Sequence, residues 1–296
     1  MSIVRIPLEL KQKWETASNK DGWLRDLCNI RRGSDQPFIR RSSLIFKMFN
    51  RCIKNPYNDL IPYTFALDFS CQNRTKPRFM HIDLGLTRNS AGISCCHVDK
   101  YINPFSSSST SIRNFKPFIK FDFVAKISAT HGGEIILSDI ESMVYNLSKR
   151  GFMFSLITFD RFQSASTIQN LRANGFIVDI LSLDRTTHRV IVDFEKGPNE
   201  NYVRRDPTEN QHMIAWQTFK DAINEERIEC PFYEPAKKEL EVAEFVKEKV
   251  EGIKGISLDA IESMAGSVFN LVNNTRFVGE DPMERMIGAL KDTFYN

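Results

Sequence analysis

Phe79-Met80-His81-Ile82-Asp83-Leu84 is a compact apolar run that ends at a carboxylate. After the turn Thr87-Arg88-Asn89-Ser90, Ala91-Gly92-Ile93-Ser94-Cys95-Cys96-His97-Val98 can return antiparallel to it. A third strand is expected over Phe121 to Ser128, where Phe121, Phe123, Ala125 and Ile127 alternate with Asp122, Val124, Lys126 and Ser128. The Ser-rich stretch Ser106 to Ser111 between them reads as a loop. Downstream, Ser138 and Glu141 have capping-box spacing, and Ile140, Val144 and Leu147 form an apolar stripe that stops at Lys149-Arg150-Gly151. A buried strand, Phe152 to Phe159, follows. Then come a helix from Ser164 to Asn174 stopped by Gly175, and a strand from Phe176 to Leu183. Strand, helix, strand is a βαβ unit, for which a parallel pair is expected. The fold class is therefore α/β around a mixed sheet.

The flanks are less regular. A polar excursion from about Thr186 to Asn210 reads as a hairpin. Helices are expected over His212 to Arg227, Pro235 to Val250 and Leu258 to Asn273, with a short one over Pro282 to Asn296. On the N-terminal side, Leu10, Trp14, Trp23, Leu24, Leu27 and Ile30 mark two short helices, and another is expected near Ser43 to Ile53. Residues 1–75 thus read as a helical and loop-rich arm, 76–280 as the main domain and 281–296 as a helical tail.

With 42% hydrophobic and 26% charged residues in 296, the chain can bury a real core, and disorder is not its default state. Its longest nearly uninterrupted apolar run, around Gly151 to Phe159, falls far below the roughly 20 residues of a membrane helix. The start Met-Ser-Ile-Val-Arg-Ile-Pro has no apolar core of a secretory signal. Six cysteines without any C-x-x-C spacing argue against a zinc ribbon or a disulfide framework, and adjacent Cys95 and Cys96 point to opposite strand faces. A net charge of +3 says little, but its distribution says more. Arg31, Arg32, Arg40, Arg41, Lys47, Arg51 and Lys54 face a single acid, Asp35. Such a run is either a solvated face or a contact to a phosphate backbone.

The chemistry lies with carboxylates at element ends. Asp83 closes the first strand, Asp160 follows Phe152 to Phe159, and Asp259 opens the helix from Leu258. Aspartate is also a common turn former and cap at such places. Acids gathered near the middle of a sheet repel one another unless a cation sits among them, and an all-oxygen donor set suits a hard metal. Two magnesium or manganese ions about 4 Å apart hydrolyse phosphodiesters by activating water and stabilising the leaving oxygen. The five histidines have no paired metal spacing; His81, two residues before Asp83 on the same strand face, is the one placed near the acids. No G-x-x-x-x-G-K-[ST] occurs, so no P-loop ATPase is encoded in this stretch.

His81-Ile82-Asp83-Leu84-Gly85-Leu86-Thr87-Arg88-Asn89-Ser90-Ala91-Gly92 resembles the first nuclease motif of tailed-phage terminase large subunits. Phe159-Asp160-Arg161-Phe162-Gln163-Ser164, with Ile168-Gln169-Asn170-Leu171 and Leu181-Ser182-Leu183-Asp184-Arg185, resembles the second. Leu258-Asp259-Ala260-Ile261-Glu262-Ser263-Met264-Ala265-Gly266 is similar to the third. Trp23-Leu24-Arg25-Asp26-Leu27 with Pro37-Phe38-Ile39 resembles the connector between packaging ATPase and nuclease, so the likeness covers almost the whole chain.

The resemblance implies an RNase H-like fold, a five-stranded mixed sheet with helices on both faces. It implies Asp83, Asp160 and Asp259 as catalytic ligands of two Mg2+ or Mn2+ ions, in a nuclease that cuts concatemeric double-stranded DNA. It further implies the packaging ATPase, the portal and the small terminase subunit as partners, and the host cytoplasm as location. Arg161, Arg185, Arg31, Arg32, Arg40 and Arg41 are the candidate DNA-binding residues. Two departures stand out. Asn89 occupies a position where many relatives carry an acid, and the third motif, usually Lys-Asp followed by another Asp, reads Leu258-Asp259 with Glu262 one turn on. Glu262, on the same helical face, can supply the missing charge or bind metal outright. The alternatives are another RNase H-like nuclease of the junction-resolvase type, or a DNA-docking module with a degenerate site.

Overall fold

The computed structural model describes residues 36–85, 90–104, 115–128, 134–160, 165–183, 194–196, 202–204, 211–246, 249–253 and 256–277. The chain divides into Met1–Asp35 and Gln36–Asn296, and all the described residues belong to the second unit. The expected helices over 9–31, the Ser106 to Ser111 loop and the Pro282 to Asn296 tail lie outside them.

The central strands fold in the order expected. β2 (Arg78–Gly85) pairs antiparallel with β3 (Ser90–Ile102), which pairs antiparallel with β4 (Lys116–Ser128). From β4 the chain crosses through α2 (Leu137–Lys149) to β5 (Phe154–Phe159), parallel to β2 on its other side. Then α3 (Ala165–Ala173) leads to β6 (Val178–Ile180), parallel to β5. The order β4-β3-β2-β5-β6, with β3 alone reversed, is the RNase H-like arrangement.

The sheet is wider than five strands. After the hairpin β7 (Phe194–Lys196) and β8 (Tyr202–Arg204), helix α4 (Gln211–Asn224) returns the chain to β9 (Ile228–Phe232), parallel to β4. Beside β9 lies β1 (Phe49–Lys54), also parallel, reached from helix α1 (Ser42–Met48). The sheet therefore has seven strands, β1-β9-β4-β3-β2-β5-β6. The helix expected to reach Ile53 ends at Met48 because the following residues find hydrogen-bonding partners in β9. Phe38, Ile39, Leu44, Ile45, Met48 and Phe49, assigned by sequence to the arm, are buried in the same core as the motif strands.

Two apolar layers flank the sheet. One face packs α2, α3 and the Tyr57–Phe69 loop against Met80, Ile82, Ile93 and Phe123. The other packs α1, α4, α5 (Glu234–Val242) and α6 (Asp259–Phe277) against Phe79, Cys96, Phe121 and Val124. Cys95 and Cys96 indeed face opposite layers. The helix expected over Pro235 to Val250 stops at Val242. It gives way to a hairpin, β10 (Ala243–Val246) with β11 (Lys249–Gly252), because Phe38 and Gln36 bond the outer edge of β10. The Ser138 capping box is not made. α2 starts at Leu137, with Ile136 as its N-cap and no side-chain cap. Among the described residues no helix is long and apolar enough to cross a membrane.

Candidate metal centre

Period-two alternation along β2 sends Met80, Ile82 and Leu84 to the α2 face, and Phe79, His81 and Asp83 to the α6 face. What brings α6 down onto those residues is a seam of small side chains. Asp83 pairs in register with Gly92. A β-carbon on Gly92 would overlap the Asp259 carbonyl, and one on Gly266 would overlap the His81 ring. Glycine is required at both places for close approach, not for backbone freedom. Ser94 Oγ donates to the Ser263 carbonyl at 2.8 Å and lies 2.8 Å from Ser267 Oγ. Lower down, His81 Nδ1 and Thr158 Oγ1 are 2.8 Å apart, and Asn270 donates to Thr158 Oγ1 at 2.6 Å, which ties α6 to β2 and β5. Burial drives the His81 pKa down to about 3, so its ring is neutral packing under the helix.

The result is a cluster of acids. Carboxylate oxygens of Asp83, Asp259 and Glu262 lie within 4.8 Å of one another. Asp259 and Glu262 occupy the first turn of α6, where the helix dipole favours negative charge. Asp160 follows β5 at the same sheet edge; its N–H donates to the Ile82 carbonyl at 3.0 Å, and its charge is felt by both Asp83 and Glu262. Sequence reading left Glu262 open, and the structure places it inside the group of three.

The electrostatics are those of a site short of positive charge. Asp83 is pushed well above the ordinary carboxylate range, first by burial, then by the facing Glu262, to which it hydrogen-bonds, and by Asp160 and Asp259. Glu262 is also raised, by burial first and by Asp259 and Asp160, against the bond from Asp83 and the Lys249 charge. The two carboxyls therefore titrate as a pair, not singly. Asp83 Oδ2 is buried with no hydrogen-bond partner. Leaving a buried carboxylate unpaired costs several kcal/mol, roughly, unless it is neutralised or binds a cation. An oxygen-only donor set with one orphaned oxygen fits a hard divalent ion.

Asp259 is held by residues that sequence reading missed. Its Oδ2 accepts from Ser90 Oγ at 2.6 Å and from Ser257 Oγ, and lies 3.2 Å from Lys126 Nζ. Lys126 also reaches Glu239 Oε1 at 2.6 Å, and Glu239 Oε2 accepts the Ile261 N–H at 3.1 Å. Burial opposes the Lys126 ammonium, but Glu239 and Asp259 outweigh it and raise its pKa. Strand alternation did place Lys126 on the Val124 face; nothing local said that this face meets α6. Arg40 and Arg41 are exposed just before α1. Arg31, Arg32, Arg161, Arg185 and Asn89 lie outside the described residues.

No family model matches the sequence, and no curated protein is similar to it at a significant level. The structure is similar to the large terminase nuclease of thermophilic phage G20c with bound magnesium. The TM-score is 0.49 and the identity 10%, over 79% of this chain and 97% of that one. It is similar to the P22 large terminase nuclease domain (TM-score 0.43, 12% identity, 82% and 94% covered). It is also similar to the HK97 bacteriophage large terminase (TM-score 0.45, 13% identity), covering 88% of this chain and 49% of that longer one.

Proposed function

We propose that this chain is a metal-dependent DNA endonuclease of a viral genome-packaging terminase. The observation that carries the metal reading is the convergence of Asp83, Asp259 and Glu262 around a buried oxygen of Asp83 that has no partner. The packaging role rests on the three sequence motifs quoted above. Asp83, Asp160, Asp259 and Glu262 hold the cations, which in this reading are two Mg2+ or Mn2+. When bound, such ions activate water and stabilise the leaving oxygen of a phosphodiester. The chain's own contribution is positional. The Gly92 and Gly266 contacts fix α6 against β3 and β2, so the acids are presented without rearrangement, and the serines hold the Asp259 carboxylate in one orientation.

Concatemeric double-stranded DNA is the substrate, cut without strong sequence specificity. Arg40 and Arg41, with Arg31, Arg32, Arg161 and Arg185, are the proposed phosphate contacts. The packaging ATPase, portal and small terminase subunit are the proposed partners, in the host cytoplasm. The test is nicking of supercoiled plasmid. The chain should cut with magnesium or manganese and without ATP, and Asp160→Asn should abolish cutting with little loss of folding, since it removes a charge and keeps the volume. Full activity in excess chelator, or in Asp160→Asn, refutes the metal mechanism.

A further inference from the structure

Asp259 Oδ2 carries three donors at once: the Ser90 hydroxyl at 2.6 Å, the Ser257 hydroxyl, and the Lys126 ammonium at 3.2 Å. A carboxylate oxygen has two lone pairs, so three donors leave Oδ2 nothing to offer a metal. The lysine is not a passing surface group. Its backbone N–H donates to Tyr233 Oη at 3.0 Å, and Tyr233 in turn donates to Asp59. Its ammonium is braced by Ser257 at 2.8 Å and by buried Glu239, whose second oxygen is tied to the backbone of α6. The ammonium is thus fixed to the same helix that carries Asp259 and Glu262.

We propose that Lys126 is a positioning residue that caps one oxygen of Asp259, so that Asp259 binds a divalent ion through Oδ1 alone, and that its charge competes with that ion. This rests on the metal-centre reading above. Two consequences follow. Lys126 keeps Asp259 in place when no metal is bound, because it supplies a positive charge to an otherwise all-acid cluster. It also weakens metal binding, since a fixed cation a few ångströms away repels an incoming one.

The sign of that second effect separates a positioning charge from a merely structural residue, whose loss would loosen the site and weaken binding. The experiment is calorimetric titration of the full chain with Mn2+, and with Ca2+ as an ion that need not support turnover. Lys126→Met should bind Mn2+ about tenfold tighter, the scale expected for removing one unit charge roughly 6 Å from a divalent ion when solvent screens the pair about as bulk water does. Because that change strands Glu239, the variant Lys126→Met/Glu239→Gln is titrated beside it; with both charges gone it should still tighten binding, by less than the single change, because the lysine and not Glu239 is the charge that touches Asp259. Unchanged or weaker binding in the double variant overturns the proposal. A parent chain that takes up no divalent ion at all overturns instead the metal-centre reading on which it stands.

Discussion

Replacing Gly92 by alanine tests the packing that builds the site. The added methyl would fall on the Asp259 carbonyl. Those are backbone atoms, so no side chain can swing aside. A comfortable contact needs roughly 3.5 Å, and the first turn of α6 must therefore retreat from β3 by about 1 Å or more. Overpacking of this kind costs about 1–3 kcal/mol, equivalent to a fall in Tm of roughly 2–12 °C for a domain of this size. The larger effect is on function. Asp259 and Glu262 move with the turn while Asp83 stays on β2, and a misplacement of about 1 Å costs on the order of 100-fold in turnover. Differential scanning calorimetry and plasmid nicking read the two effects. Gly175→Ala is the comparison: it sits at φ +86° with nothing within 4 Å of the new methyl, so it should lose stability through backbone strain alone and bind Mn2+ as the parent does. Gly92→Ala with the parent's Tm and activity would refute the close-approach argument.

Two further expectations follow from charge. The raised Asp83 carboxyl keeps its proton in the folded chain to higher pH than in the unfolded chain, where it titrates near 3.8. The metal-free protein should therefore lose stability as pH rises from about 4 through that raised value. Asp83→Asn should reduce this loss, leaving the part due to the likewise raised Glu262, and raise the metal-free Tm at pH 7 while abolishing metal uptake; a lower Tm at pH 7 would contradict it. If Arg40 and Arg41 hold phosphates, reversing both to Glu should weaken all DNA sequences alike and flatten the log-log salt dependence by about two units. An unchanged slope in fluorescence anisotropy would move these arginines to a docking role.

The middle of the chain was legible because β3 and β4 are long, although an irregularity in their pairing at Cys95/Cys96 puts Phe121 on the face opposite Phe123, Ala125 and Ile127, where strict alternation had grouped all four. β2, β3, β4, α2 and the βαβ unit stand close to where the sequence placed them. β9 was missed because Ile228–Phe232 is five residues with a proline at 231, wedged between two strongly helical stretches. The β10–β11 hairpin was missed because Val242 to Val250 carries helix-compatible spacing, and only the pairing of β10 with Gln36 and Phe38 overrides it. The acids at the strand ends were visible as candidates. That Glu262 joins Asp83 and Asp259, while Lys126 and two serines clasp Asp259, depends on how closely α6 lies on β3. That distance is set by Gly92 and Gly266, residues without side chains to announce it.

The pairing of β1 with β9 also sets a timetable. Phe49 lies beside Cys230, so the first described strand of the fold waits for a partner some 180 residues downstream. At a synthesis rate of roughly 5–20 residues per second the delay is about 10–35 s. During that interval Leu44, Ile45, Met48 and Phe49 have no β9 or α4 to cover them. A nascent chain of this kind exposes this apolar segment to aggregation until nearly the whole of the second unit has been made, and an arrest shortly before residue 230 would leave it unsheltered.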